Sequence, residues 1–456
     1  MNSTIAWPQA LGAVERLVAG PDAAAEALAS VLAGAPCFQN RDFPLSPTPV
    51  LVRADAAEHV NAELEAYVAL LGEVCRLYRE RPEVRAWYGL PESARRLIEA
   101  DRGPGDLPWI CRLDGYLEAG SERLVLLENN ADAPAGTLFS SRINELVERV
   151  WAEVPDAGMP EPSALTYRGD RFLGALLDGA RAAAAAQPGK CASPSSVAIL
   201  QPRGAANRES AELVDEFQAI GMDAFLGDPR ELSVSGGRAS FGGRPADLCW
   251  NKVNTSVWNE LVTDAELLGT WETALRESTL VHLNNFAARY VAESKLSLAF
   301  VQEPAFADCF TAAQRELVDR LLPRTRRVRP DGAEPGGAAP EELLAHQCDY
   351  VLKQPYDIRG DGVTVGYAVP RGEWRAAVGR AAAQGHIAQR RVEPLRYPVV
   401  ALPEAVVRCP AVSLDTFVFG GKPAGFGSKC GSPPKINVFQ GGRKLAVYVV
   451  AEPGQG

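Results

Sequence analysis

Apolar side chains recur at three- and four-residue intervals through most of residues 1–100. The segments PDAAAEALASVLAG and AAEHVNAELEAYVALLGEVCRLYRERPEVRAWYGL both show this spacing, with Glu and Arg between the apolar positions. Three- and four-residue spacing is the period of an amphipathic helix. We therefore predict a helical N-terminal region over residues 1–104.

The pattern changes to alternation after residue 108. WICRLDGYL and ERLVLLEN alternate apolar with polar positions, and the turn-forming residues EAGS separate them. Alternation with a period of two is typical of a half-buried strand, so we predict an antiparallel strand pair here. TLFSSRINELVERVW, further along the chain, returns to helical spacing. This part of the chain, 105–190, is the first predicted segment of the core.

A Pro/Gly/Ser-containing stretch over 182–196 marks a boundary between lobes. It is followed by VAIL, a short buried strand, and by ESAELVDEFQAI, an amphipathic helix, so 195–290 is predicted as a separate α/β lobe. Residues 264–322 look helical, and 324–342 (RTRRVRPDGAEPGGAAPEE) is predicted as a mobile loop. Strand-like runs return in the last segment, 291–456, from residue 350 onward. The fold class is therefore α/β (α+β), with mixed or antiparallel sheets in the C-terminal third.

Composition narrows the classes of function. The chain has 456 residues and a net charge of −10, which disfavours a broad nucleic-acid or anionic-membrane surface. No apolar run reaches the ~18 residues of a membrane span, and the N-terminus lacks a basic export signal, so we expect a cytoplasmic protein. Nine cysteines without a C-x-x-C pair, and four scattered histidines, indicate reduced thiols rather than a zinc centre.

The most concentrated acidic segment is CRLDGYLEAGSERLVLLENNADAPAG. Asp114 is predicted near the end of the first strand and Glu128 near the end of the second, and Asn130 points the same way as Glu128. Two neighbouring strands could bring these oxygen donors into one pocket, which suits Mg²⁺ together with nucleotide phosphates. Arg112 alternates with Asp114 on the same face and could bind an anion. The alternative is an ordinary polar hairpin with a Pro-Gly turn.

Only eight of the 47 basic residues are lysines, and several stand at places that favour anion binding. Lys353 ends a strand in YVLKQPYDIRGDGVTVG, before a glycine-containing loop whose backbone N–H groups could cover phosphates. Lys295 opens a predicted helix, where a cation is unfavourable unless an anion lies nearby. Lys429 belongs to a glycine-rich C-terminal stretch that holds half of all the lysines. An ordinary hairpin, a solvated lysine and a solvated turn region are the respective alternatives.

Several familiar motifs are missing. The strand VAIL is followed by QPRGAANRES, which contains no G-x-G-x-x-G, so a dinucleotide-binding site is not supported. The sequence contains neither G-x-x-x-x-G-K-[ST] nor G-x-S-x-G. A phosphate-binding loop of the common type and a serine hydrolase nucleophile are thereby excluded.

Taken in order, these segments resemble the circularly permuted ATP-grasp ligases, the group that includes the synthetase domain of glutathionylspermidine synthetase. The resemblance covers roughly residues 105–450. In that family an R-x-D strand is followed by E-x-N, which correspond here to Arg112-Leu113-Asp114 and Glu128-Asn129-Asn130. The resemblance implies an ATP-grasp fold in permuted order with a Rossmann-like lobe. It also implies Asp114, Glu128 and Asn130 as Mg²⁺ ligands and Arg112 near the transferred phosphate.

The same resemblance assigns the nucleotide contacts. HLNNFAARYVAESKLSLAF corresponds to the segment whose lysine, Lys295, reaches ATP, and YVLKQPYDIRGDGV implies Lys353 on ATP. The implied phosphate flap contains Arg359, Gly360 and Gly362. The implied adenine hinge, within IAQRRVEPL, contains Gln389, Arg390 and Val392. This chain departs from the family twice: Gln389-Arg390 stands where Q-E is common, and Lys429 stands where an arginine often follows the glycine-rich turn.

The sequence thus predicts an ATP- and Mg²⁺-dependent carboxylate–amine ligase that works through an acyl phosphate. Its partners would be a small-molecule carboxylate and an amine, an amino acid or peptide among them, with tailoring of a small natural product as one setting. Arg112 and Lys429 are the predicted catalytic residues. Three alternatives stay open: a degenerate ATP-grasp protein that only binds nucleotide, a kinase-like phosphotransferase, and a globular protein that merely mimics these motifs.

Overall fold

The structure is a computed structural model, and it describes residues 3–35, 44–154, 158–169, 171–205, 207–330, 336–357, 360–432, 434, 436, 438 and 441–451. Within these ranges none of the helices is both long and apolar enough to cross a lipid bilayer. The helices of the described chain are α1 (Trp7–Ala19), α2 (Pro21–Ala33), α3 (Ala54–Glu80), α4 (Pro82–Tyr88), α5 (Glu92–Ala100), α6 (Phe139–Glu153), α7 (Arg171–Ala186), α8 (Arg208–Ala219), α9 (Thr255–Leu261), α10 (Ala265–Glu277), α11 (Leu296–Phe300), α12 (Ala312–Leu321), α13 (Pro340–Ala345) and α14 (Arg371–Gln384).

Short strands are distributed over the whole chain and form several small sheets. The strands of the described chain are β1 (Val50–Arg53), β2 (Ile110–Leu117), β3 (Leu124–Asn130), β4 (Ser196–Leu200), β5 (Asp223–Gly227), β6 (Leu232–Ser235), β7 (Arg238–Phe241), β8 (Arg244–Ala246), β9 (Leu248–Asn251), β10 (Val281–Leu283), β11 (Thr325–Arg327), β12 (Tyr350–Lys353), β13 (Val363–Val365), β14 (Ile387–Arg390), β15 (Val399–Ala401), β16 (Val406–Arg408), β17 (Ala411–Val412), β18 (Asp415–Phe419), β19 (Lys422–Gly431), β20 (Arg443–Leu445) and β21 (Val447–Val450).

The central sheet joins segments that are far apart in sequence. Its strands follow the order β17-β19-β18-β2-β3, with β20 added beside β19. β18 pairs antiparallel with β2, about 300 residues earlier in the chain, through Thr416 opposite Leu113. Leu113 and Val418 face the main hydrophobic core, which leaves the opposite face of the sheet for polar side chains.

Residues 196–283 form the expected α/β lobe around a four-stranded parallel sheet in the order β10-β9-β4-β5. All five residues of β4 and all four of β9 are buried, as is usual for parallel strands covered on both faces. Helix α8 packs on β4 and β5, and Asn207 caps its N-terminus. The antiparallel strands β6, β7 and β8 are inserted between β5 and β9.

A third sheet, β11-β14-β12-β13, is antiparallel and has its own core around Trp374 and Leu352. The prediction of a mobile loop over 324–342 was wrong at both ends, because β11 begins at Thr325 and α13 begins at Pro340. The arginines that suggested a solvated loop are instead neutralised: Arg326 bonds to Glu342 at 2.5 Å. Residues 331–335 of that segment lie outside the described residues.

The N-terminal region contains the expected helices, but it also contains β1, which the helical prediction missed. β1 pairs parallel with β21 near the end of the chain, with Val50 opposite Val447. Tyr67 and Leu71 of α3 share one hydrophobic core with the central sheet. The region therefore packs as part of the same core rather than as an independent layer.

Candidate active site

The β2–β3 hairpin places four predicted site residues on one face. Asp114 lies directly opposite Glu128, and Arg112 lies directly opposite Asn130. Directly opposite residues on antiparallel strands point to the same face, with Cβ atoms about 5 Å apart. Asp114 is in the middle of β2 rather than at its end, so that expectation was wrong. A register shift follows Asp114, where a Cβ on Gly115 would meet the Val125 carbonyl oxygen at 2.8 Å.

Asp114 is held by three side chains. The Arg112 guanidinium donates to both of its oxygens, at 2.6 and 3.1 Å, and Asn130 Nδ2 donates to Oδ1 at 3.0 Å. Lys429 Nζ lies 3.2 Å from Oδ2. Burial by itself would raise the pKa of Asp114, but Arg112 and Lys429 outweigh burial and hold that pKa well below its usual range. Asp114 is therefore a carboxylate at neutral pH.

Lys295 reaches the same face from another part of the chain. A π-helical turn over Ala288–Ala292 precedes it, and its backbone N–H donates to the Pro355 carbonyl at 3.0 Å. Its side chain is sealed from solvent, and Nζ lies 2.8 Å from Glu128 Oε1 and also bonds to Asp357. Burial opposes the charge, but these two carboxylates raise the pKa of Lys295 above its usual value.

Lys353, at the end of β12, approaches β3 from the third sheet. Its Nζ donates to the Leu127 carbonyl at 2.8 Å, and the residue is 6% exposed. Burial lowers its pKa to about 8; Lys295 reinforces this effect and Glu128 opposes it. The structure therefore brings two ammonium groups from distant segments to the strand that carries Glu128.

The loop after Lys353 folds back on itself. Asp357 Oδ2 accepts a hydrogen bond from the Gly362 N–H at 3.2 Å, and a Cβ on Gly362 would meet Asp357 at 2.9 Å. Gly360 lies in the same loop. Arg359, the predicted arginine of this flap, lies outside the described residues.

The predicted adenine hinge is only partly directed inward. Gln389 is 1% exposed on β14, two residues from the partner of Lys353 on that strand, and its Nε2 donates to Thr325 Oγ1 at 3.1 Å. Arg390 is exposed and bonds to Asp349 at 3.2 Å, away from the other predicted residues. Val392 follows the strand and is half-buried.

On the far side of Asp114, Asp415 and Lys429 extend the charged face. Asp415 begins β18 and lies beside Asp114, because the next residue, Thr416, pairs with Leu113. Lys429 Nζ lies 2.8 Å from Asp415 Oδ2 as well as close to Asp114. Burial opposes the charge of Lys429, but Asp114 and Asp415 raise its pKa above the usual value.

Comparison with solved structures gives the fold. A glutathione synthetase-like effector, GSS30, from Globodera pallida matches with a TM-score of 0.57 and 13% identity, over 97% of this chain and 96% of that one. A protein from Methylobacillus flagellatus, provisionally named a gamma-glutamylcysteine synthetase, matches with a TM-score of 0.43 and 12% identity, over 84% of this chain and 88% of that one. An ATP-grasp RimK domain protein from Sphaerobacter thermophilus matches with a TM-score of 0.28 and 15% identity, over 51% and 88%. The last two are too distant to carry an argument.

The chain has an ATP-grasp-like α/β fold. No protein-family model and no curated protein sequence matches it. The near-complete coverage in both directions means that the N-terminal helices, for which the sequence offered no motif, belong to the fold that matches. At 13% identity, the match shows the fold and leaves the activity to the site.

The donor set of the ATP-grasp-like site was tested for a magnesium ion. Within the described ranges no group of three or more His, Cys, Asp or Glu is arranged to hold a metal. Mg²⁺ keeps several waters and is usually held by one or two carboxylates together with substrate phosphates, so it needs no such group. Asp114 and Glu128 are opposite each other, and their side chains are 19% and 27% exposed. Two accessible carboxylates with Asn130 beside them fit that chemistry.

Sequence reasoning missed two carboxylates of this ATP-grasp-like site. Asp357 was included in the loop after Lys353, but its bond to Lys295 was not foreseen. Asp415 was passed over as part of an apolar strand, although an acidic residue at the start of DTFVF is a signal in itself. Its Oδ1 is buried and accepts no hydrogen bond. A buried carboxylate of that kind marks a polar environment rather than a core position.

Proposed function

We propose that this protein is an ATP- and Mg²⁺-dependent carboxylate–amine ligase with an ATP-grasp fold in circularly permuted order. In the proposed reaction a substrate carboxylate attacks the γ-phosphate of ATP, which gives an acyl phosphate and ADP. An amine then attacks the acyl carbon and releases phosphate, leaving an amide or peptide bond. The observation that carries this proposal is the meeting of Lys295 and Lys353 at the strand of Glu128, opposite Asp114.

The permuted order is supported by the connection of the central sheet. The acidic hairpin β2–β3 comes early in the chain, and the sheet that carries Lys353 comes late. The strands that complete the central sheet beside β2 come later still. One chain of this order can bring early acidic residues and late basic residues to one face only by returning to the sheet at its end.

The residues of this chain would act by positioning and by charge neutralisation. Lys295 and Lys353 present two ammonium groups to phosphate oxygens from sealed positions, so neither group must be desolvated again during the reaction. Arg112 is a rigid planar donor beside the same face, and its guanidinium could follow charge from the phosphoryl group to the acyl phosphate. Lys429 lies on the other side of Asp114, where it could neutralise the acyl group.

Asp114, Glu128 and Asn130 would hold the magnesium ion. When bound, such an ion would draw negative charge from the triphosphate and orient it. Asp114 is already ionised at neutral pH, so no proton has to be removed before it could serve as a ligand. Glu128 would exchange part of its contact with Lys295 for this role.

The experiment is a coupled assay for ADP and phosphate over a matrix of carboxylic acids and amines, with ATP and Mg²⁺. We expect ADP release that requires both an acid and an amine, and its loss in Lys353→Met. Lys422→Met is the matched control, because Lys422 is an exposed lysine whose ion pair is with Glu65. Thermal stabilisation by ATP without ADP release from any pair would replace the proposal by a nucleotide-binding protein. Phosphate retained on the product would indicate a phosphotransferase.

A further inference from the structure

Lys444 is a lysine that the proposed function does not use. It lies on β20 directly opposite Lys429, so both side chains project from the same face of the sheet. Its backbone is fixed on the far side too: its N–H donates to the Pro44 carbonyl at 2.7 Å, and its carbonyl accepts from the Ser46 N–H at 2.9 Å. Lys444 Nζ makes no hydrogen bond or ion pair with any described residue, although the strand fixes its direction.

The charges around Lys444 do not balance. The surrounding group, which we term the far cluster, has three cations and two carboxylates: Arg112, Lys429, Lys444, Asp114 and Asp415. By contrast, the cluster at β3 has two lysines and two carboxylates: Lys295, Lys353, Glu128 and Asp357. The far cluster therefore carries one excess positive charge in the absence of a ligand.

The pKa of Lys444 agrees with a missing anion. Burial and the neighbouring ammonium of Lys429 lower the pKa of Lys444 to about 8, and Asp415 opposes this only in part. A partly buried like-charge pair of this kind is unfavourable unless an anion lies between the two groups.

The position of Lys444 separates it from the triphosphate. Three strands, β2, β18 and β19, lie between β3 and β20. At about 4.8 Å per strand, the backbones of β3 and β20 are roughly 19 Å apart. Lys444 is in electrostatic range of Asp114 from the side opposite to Lys353. An anion bound by Lys444 is therefore a different group from the phosphates at β3.

We propose that Lys444, together with Lys429, binds a spectator carboxylate of the substrate, one that does not react. This inference rests on the proposed ligase function and extends it to a substrate class: an amino acid or a peptide that still carries a free carboxylate after the amide bond has formed. The group is a carboxylate rather than a phosphate because the excess is a single charge and two carboxylates adjoin it. A phosphate monoester would bring nearly two negative charges.

The test is equilibrium binding without ATP, by calorimetry, of the twenty proteinogenic amino acids and, in parallel, their α-carboxamides. For at least one acid, the wild-type protein should bind the acid at least tenfold more tightly than the amide. Lys444→Met should lose that preference, Lys444→Arg should keep most of it, and the control Lys422→Met should keep all of it. Circular dichroism of Lys444→Met checks that the variant is folded.

Two results overturn the inference: no acid is preferred over its amide by the wild-type protein, or Lys444→Met keeps the preference. Because this binding arm needs no turnover, its outcome is independent of ADP release, which tests the proposed function. With an active acid–amine pair in hand, amidation of the donor and of the acceptor in turn identifies which of the two carries the spectator carboxylate. KM for that partner should rise at least tenfold in Lys444→Met while KM for ATP stays unchanged.

Discussion

Two lysine–carboxylate pairs in this molecule use their charges differently. Lys252 and Glu209 join the α/β lobe to the loop after β3, and their side chains are 2% and 4% exposed. Lys252 donates to the Ala133 and Pro134 carbonyls, and Glu209 accepts from the Gly136 and Leu138 N–H groups. Every partner in this first pair is fixed protein.

The second pair, Lys295 and Glu128, combines a sealed ammonium with a carboxylate that is 27% exposed. Glu128 is thus open to a ligand on one side while its partner stays fixed on the other. The difference teaches that burial of a charge does not by itself mark a functional site. A sealed cation beside an accessible carboxylate does, and the comparison predicts that the two pairs respond to mutation in different ways.

Glu128→Ala should break the accessible pair with the largest effect. We expect turnover to fall at least 10³-fold, which corresponds to about 4 kcal/mol of activation free energy, because an ion ligand and a partner of Lys295 are both lost. The melting temperature should change little, since Glu128 is half-exposed. Steady-state ADP release and a thermal melt check this; Glu373→Ala, an exposed glutamate on α14, is the control.

Lys252→Met should break the sealed pair and act on stability. Removing one partner leaves Glu209 buried without its counter-charge, which costs about 3 kcal/mol or more of unfolding free energy. Urea denaturation measures this loss. Replacing both partners, with Lys252→Met and Glu209→Leu, should recover part of it. If the single variant is as stable as the wild type, the contrast between the two pairs fails.

The pH dependence of ATP binding distinguishes Lys353 from Lys295. With a pKa near 8, Lys353 is charged below that pH and loses its charge above it, whereas Lys295 stays charged. ATP affinity should therefore fall by up to about tenfold between pH 7 and pH 9, the range over which such a group loses most of its charge. Lys353→Arg should flatten the profile. An unchanged slope in that variant would assign the effect to another group.

Arg390→Ala should have the smallest effect. Arg390 is exposed and paired with Asp349, and surface pairs of this kind contribute roughly 0–1 kcal/mol. We expect KM for ATP to change less than twofold. A tenfold rise would mean that Arg390 turns inward when nucleotide binds.

The sequence predicted the local parts of this site well. Alternation in β2 and β3 placed Arg112, Asp114, Glu128 and Asn130 on one face, because the period of a strand fixes the direction of every second side chain. The order of the lysine-containing segments suggested a common pocket. Both inferences use information within about 25 residues of each group.

The remaining features depend on contacts across hundreds of residues. The pairing of β1 with β21, and of β18 with β2, follows from the completed core and leaves no periodic signal in either strand alone. The same is true of Lys444, whose position opposite Lys429 arises from the β19–β20 register. β11 was hidden because its arginines resemble a solvated loop until Glu342 is brought beside Arg326.

A crystal structure with a non-hydrolysable ATP analogue and Mg²⁺ tests the central claim most directly. The account predicts phosphate oxygens within hydrogen-bond distance of Lys295 Nζ and Lys353 Nζ, with the metal on Glu128 and Asp114. A nucleotide bound elsewhere, for instance in the cavity of about 630 Å³ lined in part by Trp87, would contradict it.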